Sequence, residues 1–256
     1  MSGRLVTIVV PAKNEEAAIG ATLDSLPVDT LRTVGYASEV IVLDGNSTDA
    51  TVEIARAWGA IVVQDRGRGK GAAVREARAA LRGDFTVMLD ADGTYAADAI
   101  PRVLDPLARD EADIVMGHRL KQRGAMTGVH RFGNGVLSLS AAVLYGRRCP
   151  DLCTGLWGFQ TAALRALPMQ SQGFELEAEL FSLAARMKFR VKHTPVDYLP
   201  RAGTSKLTAL DGFRIGWTLV RSRFQDMPPA EPSGLGHHNP VRLRPKAGQP
   251  TDEGQA

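Results

Sequence analysis

The sequence predicts an α/β protein in which a mainly parallel sheet is covered by helices on both faces. The first observation behind this prediction is that short β-rich apolar runs alternate with segments of helical spacing through the first half of the chain. The second is that 256 residues, 44% of them apolar, are enough to bury a sizeable core. In such sheets ligands bind beyond the carboxyl ends of the strands.

The alternation gives a definite order of elements. Predicted strands lie at residues 5–10, 39–43, 60–64, 85–89 and 114–116, and predicted helices at 15–26, 48–58, 71–81 and 97–107. In the second half, helices are expected at 131–144, 174–187 and 210–224 and strands at 157–161 and 190–195. From residue 226 the chain is rich in Pro and Gly and loses periodicity. We therefore expect a domain over 1–225 and a disordered tail over 226–256.

Composition restricts the possible partners and locations. The net charge of +3 suits a polyanionic substrate but does not indicate a nucleic-acid binder. Cys149 and Cys153 form neither a disulfide framework nor a four-ligand zinc pattern, and two thiols fit a reducing compartment such as the cytoplasm. We expect no signal peptide in residues 1–10. We also expect no transmembrane segment, because no stretch reaches the roughly 18 to 20 apolar residues that a span needs.

Polar residues cluster where three of the predicted strands end. Residues 11–16 follow the first strand, 44–49 the second and 90–93 the fourth. Because the carboxyl ends of parallel strands meet at one edge of the sheet, we expect the three clusters to face one crevice.

Asp90 and Asp92 are the candidate metal ligands. Two carboxylates placed two residues apart just past a strand can offer hard oxygen ligands to one Mg²⁺ or Mn²⁺, and an ion with open positions can bridge a diphosphate. The alternative is a loop aspartate followed by an Asp-Gly turn, since such pairs are common.

Asp44 ends an apolar strand, where an acid is costly unless it has a partner. One role is to accept hydrogen bonds from a base or a ribose, and the other is a turn followed by a helix cap from Ser47 or Thr48. We favour the functional role for Asp44 and the turn and cap for Asn46, Ser47 and Asp49.

The glycine-rich segment 67–71 precedes an Ala-rich helix and contains Lys70. Such a segment can approach phosphates at a helix N-terminus, but its match to a dinucleotide-binding motif is weak and no P-loop pattern is present. We interpret it as a basic wall of a nucleotide pocket, with helix capping as the alternative.

Taken in order, these motifs resemble those of the family 2 glycosyltransferases, which have the GT-A fold. That family has Pro-x-x-Asn-Glu after the first strand, Asp-Asp/Gly-x-Ser-x-Asp after the second, Gly-Lys-Gly before the third helix and Asp-x-Asp after the fourth strand. The matching residues here are Pro11, Asn14 and Glu15; Asp44, Ser47 and Asp49; Gly69, Lys70 and Gly71; and Asp90 and Asp92.

The second half is most similar to the dolichol- or polyprenyl-phosphate sugar synthases of that family. The similar segments are 117–119, 131–134, 151–159, 173–177 and 201–206. His118 stands where those enzymes usually have Ser, and Leu156-Trp157 lengthens their Gly-Phe motif. The Q-x-x-R-W motif of processive synthases is missing from the sequence, so we do not expect a polysaccharide polymerase.

The resemblance implies roles for individual residues. It implies a nucleotide-binding half over about 1–118 and an acceptor half over about 119–225, with Asp90 and Asp92 holding Mg²⁺ or Mn²⁺. The implied donor-binding residues are Pro11, Ala12, Asn14, Glu15, Asp44, Lys70, Asp90, Ala91, Asp92, Arg201 and Lys206. The implied acceptor- and sugar-binding residues are Arg119, Arg131, Glu175, Glu177 and Ser205, and the implied catalytic residues are Asp92, Asp151 and Arg119.

The resemblance also implies transfer of a sugar, with inversion, from a GDP- or UDP-sugar to a polyprenyl or dolichyl phosphate at the cytoplasmic face of a membrane. Mannose, glucose and N-acetylglucosamine are the candidate sugars. A lipid monophosphate is largely a dianion at pH 7 and needs no base, whereas a hydroxyl acceptor does, and Asp151 is then the candidate base. Residues 129–145 present apolar side chains that contact either lipid or the sheet.

Two other functions remain open at this stage. One is a glycosyltransferase that acts on a soluble or glycan hydroxyl. The other is a sugar nucleotidyltransferase, although such enzymes open with a Gly-rich loop ending in Arg and Lys, where this chain has Pro11-Ala12-Lys13-Asn14. A non-catalytic nucleotide-sugar binder has no need to keep both Asp90 and Asp92.

Overall fold

A computed structural model describes residues 4–65, 67–120, 128–201 and 209–227. The strands are β1 (Arg4–Ala12), β2 (Tyr36–Asp44), β3 (Ile61–Gln64), β4 (Phe85–Met88), β5 (Ile114–Arg119), β6 (Trp157–Gln160) and β7 (Val191–Val196). The helices are α1 (Ile19–Asp24), α2 (Val28–Thr33), α3 (Thr51–Trp58), α4 (Lys70–Ala77), α5 (Ile100–Ala108), α6 (Gly128–Tyr145), α7 (Thr161–Ala166), α8 (Leu176–Arg186) and α9 (Ala209–Phe224).

The strands form one sheet in the order β3-β2-β1-β4-β6-β5-β7. All neighbouring strands are parallel except β6, which runs antiparallel to both β4 and β5. The predicted α/β class and mainly parallel sheet are therefore confirmed. All nine strands and helices predicted in the first half of the chain form. Strand β6, in the second half, was also predicted, but its place between β4 and β5 and its antiparallel direction were not.

Central strand β1 is apolar almost throughout because both of its faces are buried, as in other parallel sheets covered by helices. Val6, Ile8 and Val10 belong to one core layer and Val9 to the other. Successive side chains of a strand point to opposite faces, so one continuous apolar run supplies both layers. The rigid centre of the sheet holds the loops after β1 and β4 side by side.

Strand β6 pairs with β4 and β5 and packs closely against α5. A Cβ on Gly158 would lie 2.4 Å from Val103 Cγ1, so only glycine allows this separation. Gly158 pairs with Val87 on one side and Val115 on the other. The residue therefore permits helix α5 to cover the middle of the sheet.

Helix boundaries differ from the predictions where loops bind each other. The helix predicted at 15–26 is observed over Ile19–Asp24, and the backbone N–H groups of Glu15 and Glu16 before it donate to Thr51 Oγ1 and Asp49 Oδ2. Helices α2 and α7 were not predicted, since six residues are too few to show a helical period. Most of the predicted tail, 228–256, lies outside the described residues.

No helix in the described ranges has both the length and the apolar composition needed to span a membrane.

Candidate active site

The loops after β1 and β4 open onto one cavity of about 320 Å³, which is at the small end of the range for ligand pockets. Gly45, after β2, and the start of α4 complete this side of it. The predicted donor residues on its wall are Pro11, Ala12, Glu15, Lys70, Asp90, Ala91, Asp92 and Arg201. The expected common crevice at the carboxyl ends of the strands is thus present.

Asn14 joins the loops after β1 and β2. Its backbone is left-handed, with φ of 50°, and its N–H donates to Ser47 Oγ at 2.9 Å. Its side-chain Oδ1 accepts from the N–H of Thr48 at 2.8 Å. The described structure places Asn14 as an organiser of the wall, and its predicted contact with the donor stays a prediction.

Asp44 is fully buried at the end of β2, and both its carboxylate oxygens face the N–H of Ser47, at 3.2 and 3.3 Å. This is the turn contact that the sequence offered as the alternative to a nucleoside contact. Its neighbours Leu43 and Gly45, rather than Asp44 itself, are on the cavity wall in the described residues. The predicted nucleoside role of Asp44 is therefore not tested by the contacts seen here.

Lys70 lies between two carboxylates on the cavity wall. Its Nζ is 2.6 Å from Asp90 Oδ1 and 2.6 Å from Glu177 Oε1. Burial alone would lower the pKa of Lys70, but the charges of Asp90 and Glu177 outweigh it and raise that pKa above its ordinary value. The lysine therefore stays positively charged and ties the start of α4, the end of β4 and the start of α8 together.

The glycine before Lys70 allows this position. Gly69 has φ of 101°, and a Cβ on it would lie 2.6 Å from the carbonyl oxygen of Gln172. The same carbonyl accepts from the N–H of Ala72 in the first turn of α4 at 3.2 Å. The Gly-Lys-Gly motif thus packs closely on the segment before α8.

Asp92 is also held by several groups. Its Oδ1 accepts from Thr94 N at 3.0 Å and from Thr94 Oγ1 at 2.6 Å, and its Oδ2 forms an ion pair with Arg201. Only 5% of its side chain is exposed. Asp92 is therefore fixed in direction, with a guanidinium already beside it.

The two aspartates suit a divalent cation by the chemistry of their ligand atoms. Both are on the cavity wall, and carboxylate oxygens are the hard ligands that Mg²⁺ and Mn²⁺ prefer. Across the ranges that the structure describes there is no group of three or more His, Cys, Asp or Glu side chains placed to hold a metal. An ion at Asp90 and Asp92 would thus take its other ligands from water and a bound diphosphate.

Comparison with known proteins identifies the fold and the family. Residues 7–167 match the family model described as glycosyl transferase family 2, which is more than half of the chain. The chain belongs to glycosyl transferase family 2. It is 33% identical over 218 residues to the dolichyl-phosphate hexose transferase of Haloferax volcanii, covering 84% of this chain and 92% of that protein.

Two other similar proteins differ in how much of their length this chain covers. It is 33% identical over 227 residues to the low-salt glycan biosynthesis hexosyltransferase Agl6 of Haloferax volcanii, but spans only about half of that protein, 54%. Glucosyl-3-phosphoglycerate synthase of Mycobacterium tuberculosis, solved with Mn²⁺, UDP-glucose and phosphoglyceric acid, is 26% identical with a TM-score of 0.67, covering 86% of this chain and 80% of that one. This similarity confirms the GT-A fold.

In this glycosyltransferase Asp151 and Arg119 form a buried pair beside the cavity. Asp151 Oδ2 accepts from Arg119 N and Nε at 3.0 and 2.7 Å, and its Oδ1 accepts from an Arg119 terminal nitrogen at 2.6 Å and from Asn134 Nδ2 at 2.9 Å. Both oxygens are occupied, so accepting a proton would require these bonds to rearrange. The hypothesis that Asp151 is a base stays a prediction.

Gly155 and Tyr95 connect that pair to the metal candidates, although neither was predicted as a site residue. A Cβ on Gly155 would lie 1.9 Å from Asp90 Oδ2, and the N–H of Gly155 donates to Tyr95 Oη at 2.6 Å. The Tyr95 ring meets Tyr198 edge-on at 5.5 Å, and Arg119 lies over the Tyr198 ring at 5.0 Å. The only sequence signal was that Gly155 follows Asp151 at the spacing of the family motif.

The remaining predicted acceptor residues are separated by the fold. Glu177 is on the cavity wall, but Glu175 Oε1 accepts from the N–H groups of Gln172 and Gly173 at 2.9 and 3.0 Å, so it fastens the loop before α8. Arg131 is exposed on α6. Ser205 and Lys206 lie outside the described residues. Phe174 and Cys153 are on the wall and were not predicted there.

Proposed function

We propose that this chain transfers a hexose from a nucleoside diphosphate sugar to a polyprenyl or dolichyl phosphate, with inversion at the anomeric carbon. The observation that carries the proposal is the cavity at the carboxyl ends of the strands, where Asp90 and Asp92 each face a cationic side chain. Such a site brings together carboxylates for a divalent cation and positive groups for a diphosphate.

Asp90 and Asp92 would hold Mg²⁺ or Mn²⁺, which when bound neutralises the charge that develops on the leaving nucleoside diphosphate. Lys70 holds the Asp90 carboxylate in place through its ion pair. Arg201, already beside Asp92, adds a guanidinium that can bind phosphate oxygens in a bidentate manner. Pro11, Ala12 and Leu43 supply an apolar part of the wall that suits the flat face of a base.

A phosphate acceptor agrees with the hydrogen bonds that Asp151 makes. A lipid monophosphate is already nucleophilic, since its second pKa is about 6, and needs no side chain to remove a proton. Asp151 has both oxygens engaged by Arg119 and Asn134, as expected of a group that positions its neighbours. The similarity to a dolichyl-phosphate hexose transferase supports the same choice.

A second candidate acceptor is a soluble phosphorylated compound. The Mycobacterium tuberculosis synthase of similar fold was solved with phosphoglyceric acid, which also carries a phosphate. The two candidates share the chemistry of a phosphomonoester and differ in what the rest of the acceptor is.

The test is a matrix of donors and acceptors with the purified full chain. GDP-mannose, UDP-glucose and UDP-N-acetylglucosamine are each incubated with a short polyprenyl phosphate, phosphoglycerate or a free saccharide, and nucleoside diphosphate release and product mass are measured. We expect one donor to give a polyprenyl-phosphate sugar. Efficient transfer to phosphoglycerate or a saccharide, with polyprenyl phosphate ignored, would refute the lipid acceptor.

The metal is tested in the same assay. Asp92→Asn removes a charged ligand opposite the diphosphate and should lower turnover at least roughly 100-fold, and EDTA should have the same effect on the unaltered chain. Asp105→Asn, at an exposed position on α5, is the matched control and should leave turnover unchanged. Full activity in EDTA would show that Asp90 and Asp92 act without a metal.

A further inference from the structure

Helices α6 and α9 lie side by side, and both rest on α8. Tyr145 Oη donates to the carbonyl oxygen of Leu219 at 2.8 Å, and Arg223 Nε donates to that of Leu144 at 3.1 Å. From α8, Phe181 meets the Tyr145 ring edge-on at 5.8 Å, and Arg186 bonds the carbonyl oxygen of Ser222. Since both helices use α8 as their support, their opposite sides face away from the body of the protein together.

Those outer sides carry large apolar side chains at helical spacing. The set, which we call the α6–α9 face, consists of Phe132, Val136, Leu139 and Val143 on α6 and Leu210, Phe213, Trp217, Val220 and Phe224 on α9. Each stripe advances by three or four residues, so it forms one line along its helix. The fold itself uses other positions, such as Ala141, Ile215 and Leu219, which are buried.

The exposure of the α6–α9 face is high for side chains of this size. Phe132, Val143, Phe213 and Phe224 are 75%, 74%, 71% and 77% exposed, and nothing within the described ranges covers them. Scattered exposed apolar residues need no explanation, but a contiguous set on two adjoining helices marks an interaction surface.

Charge indicates what this surface meets. Residues 128–148 and 209–227 together contain six arginines and two aspartates, although the whole chain has 31 basic and 28 acidic residues. One of the aspartates, Asp211, pairs with Arg214. An apolar stripe flanked by cationic side chains is the pattern of helices that lie in the interface of an anionic bilayer.

The same two helices reach the cavity. Ile215 of α9 is on its wall, and Asn134 of α6 bonds Asp151. A lipid surface at the α6–α9 face would therefore lie next to the site at which a lipid phosphate has to react.

We propose that the α6–α9 face docks on an anionic phospholipid surface, with the apolar stripes in the headgroup region and the arginines on lipid phosphates. This inference extends the proposed function by naming the surface on which its acceptor is presented, and it rests on that function. Helix α9 supplies five of the nine exposed apolar side chains of this face, whereas the sequence alone indicated only residues 129–145, as a contact with either lipid or the sheet.

The test is sedimentation of the full chain with vesicles of phosphatidylcholine alone or of phosphatidylcholine with phosphatidylglycerol. We expect binding to the anionic vesicles that weakens as salt is raised. Val143→Ser should lower the partition coefficient about tenfold, since a valine side chain no longer leaves water. Val34→Ser, the same change at a similarly exposed position in another part of the protein, should have no effect.

Tryptophan fluorescence gives a second measurement of vesicle binding. The chain has three tryptophans, of which Trp157 is fully buried and Trp217 is 58% exposed on the α6–α9 face. Anionic vesicles should shift the emission to shorter wavelength, and Trp217→Phe should abolish the shift without loss of secondary structure.

The outcomes separate this inference from the proposed function. Transfer to polyprenyl phosphate in detergent without any vesicle binding would overturn the docking surface and leave the function standing. Vesicle binding that Val143→Ser weakens, without transfer to any lipid phosphate, would support the surface and overturn the function. A dimer in solution that Val143→Ser dissociates, with no vesicle binding, would assign the face to a second copy of the chain and overturn the inference.

Discussion

Replacing Lys70 with methionine should be among the most destabilising single changes near the cavity. Methionine keeps the length and apolar stem of the side chain and removes its charge. Lys70 is 14% exposed, and its partners Asp90 and Glu177 are 29% and 11% exposed, so the two carboxylates would be left mostly buried without a cation. Removing one partner of a buried ion pair costs about 3 to 5 kcal/mol.

For a domain of this size that loss corresponds to a fall in melting temperature of about 6 to 20 °C. The assay is urea unfolding followed by circular dichroism, with thermal unfolding as a second measurement. Lys192→Met is the matched control, because Lys192 pairs with Glu111 across an exposed surface and should leave the midpoint nearly unchanged. Equal, small effects of the two substitutions would refute the reasoning.

The pH dependence gives an independent check on Lys70→Met. Burial raises the pKa of Glu177 above its ordinary 4.5, Lys70 opposes that rise and the charge of Asp90 adds to it. Without Lys70 the pKa of Glu177 rises further, so the folded variant binds more protons than the unfolded chain above pH 4.5. Its stability is then retained at low pH and lost as pH rises through the new pKa. If Lys70→Met lowered the free energy of unfolding by the same amount at pH 5 and pH 8, this account would be contradicted.

The remaining predictions concern four single positions. Gly155→Ala places a Cβ 1.9 Å from Asp90 Oδ2 and should lower turnover at least about tenfold. Gly135 in α6 has open space around it, so Gly135→Ala should instead raise the free energy of unfolding by about 0.5 to 1 kcal/mol. Burial raises the pKa of Cys153 to about 12, so iodoacetamide at pH 8 should modify it slowly in the folded protein and rapidly in urea. Burial lowers the pKa of His193, so the contribution of this group to stability is present above pH 6.5 and is lost as the pH falls below it. His193→Gln should remove this part of the difference in unfolding free energy between pH 5 and pH 8.

Local patterns in the sequence predicted the part of the site that depends on strand ends. Asp90 and Asp92 follow a buried strand, and Pro11 and Glu15 lie at and just past the end of another, so a parallel sheet brings them to one edge whatever the helices do. A different local signal, the glycine-rich segment before an Ala-rich helix, identified Lys70 as part of the wall. The α/β class followed from periodicity, which is itself a property of neighbouring residues.

Contacts between distant segments could not be predicted in this way. Lys70 and Glu177 are 107 positions apart, and Arg119 and Asp151 are 32 apart, so no spacing rule relates them. Glu175 looked equivalent to Glu177 in the motif, yet it bonds the backbone of its own loop while Glu177 reaches Lys70. Two glutamates that are only two residues apart thus have different partners, which only packing decides.

The position of β6 has a consequence for how the chain is made. Strands β1 to β4 are neighbours in space and are all synthesised by residue 88, but β5 has no place beside β4, because β6 fills the gap between them. After β5 is made, some forty more residues must follow before β6 is complete, which takes a ribosome about 2 to 8 s. During that interval β4 is an open apolar edge, the kind of edge at which nascent chains aggregate. Chains arrested between residues 88 and 157 should therefore precipitate more than chains that reach residue 160, because only the longer chains can cover the free edge of β4.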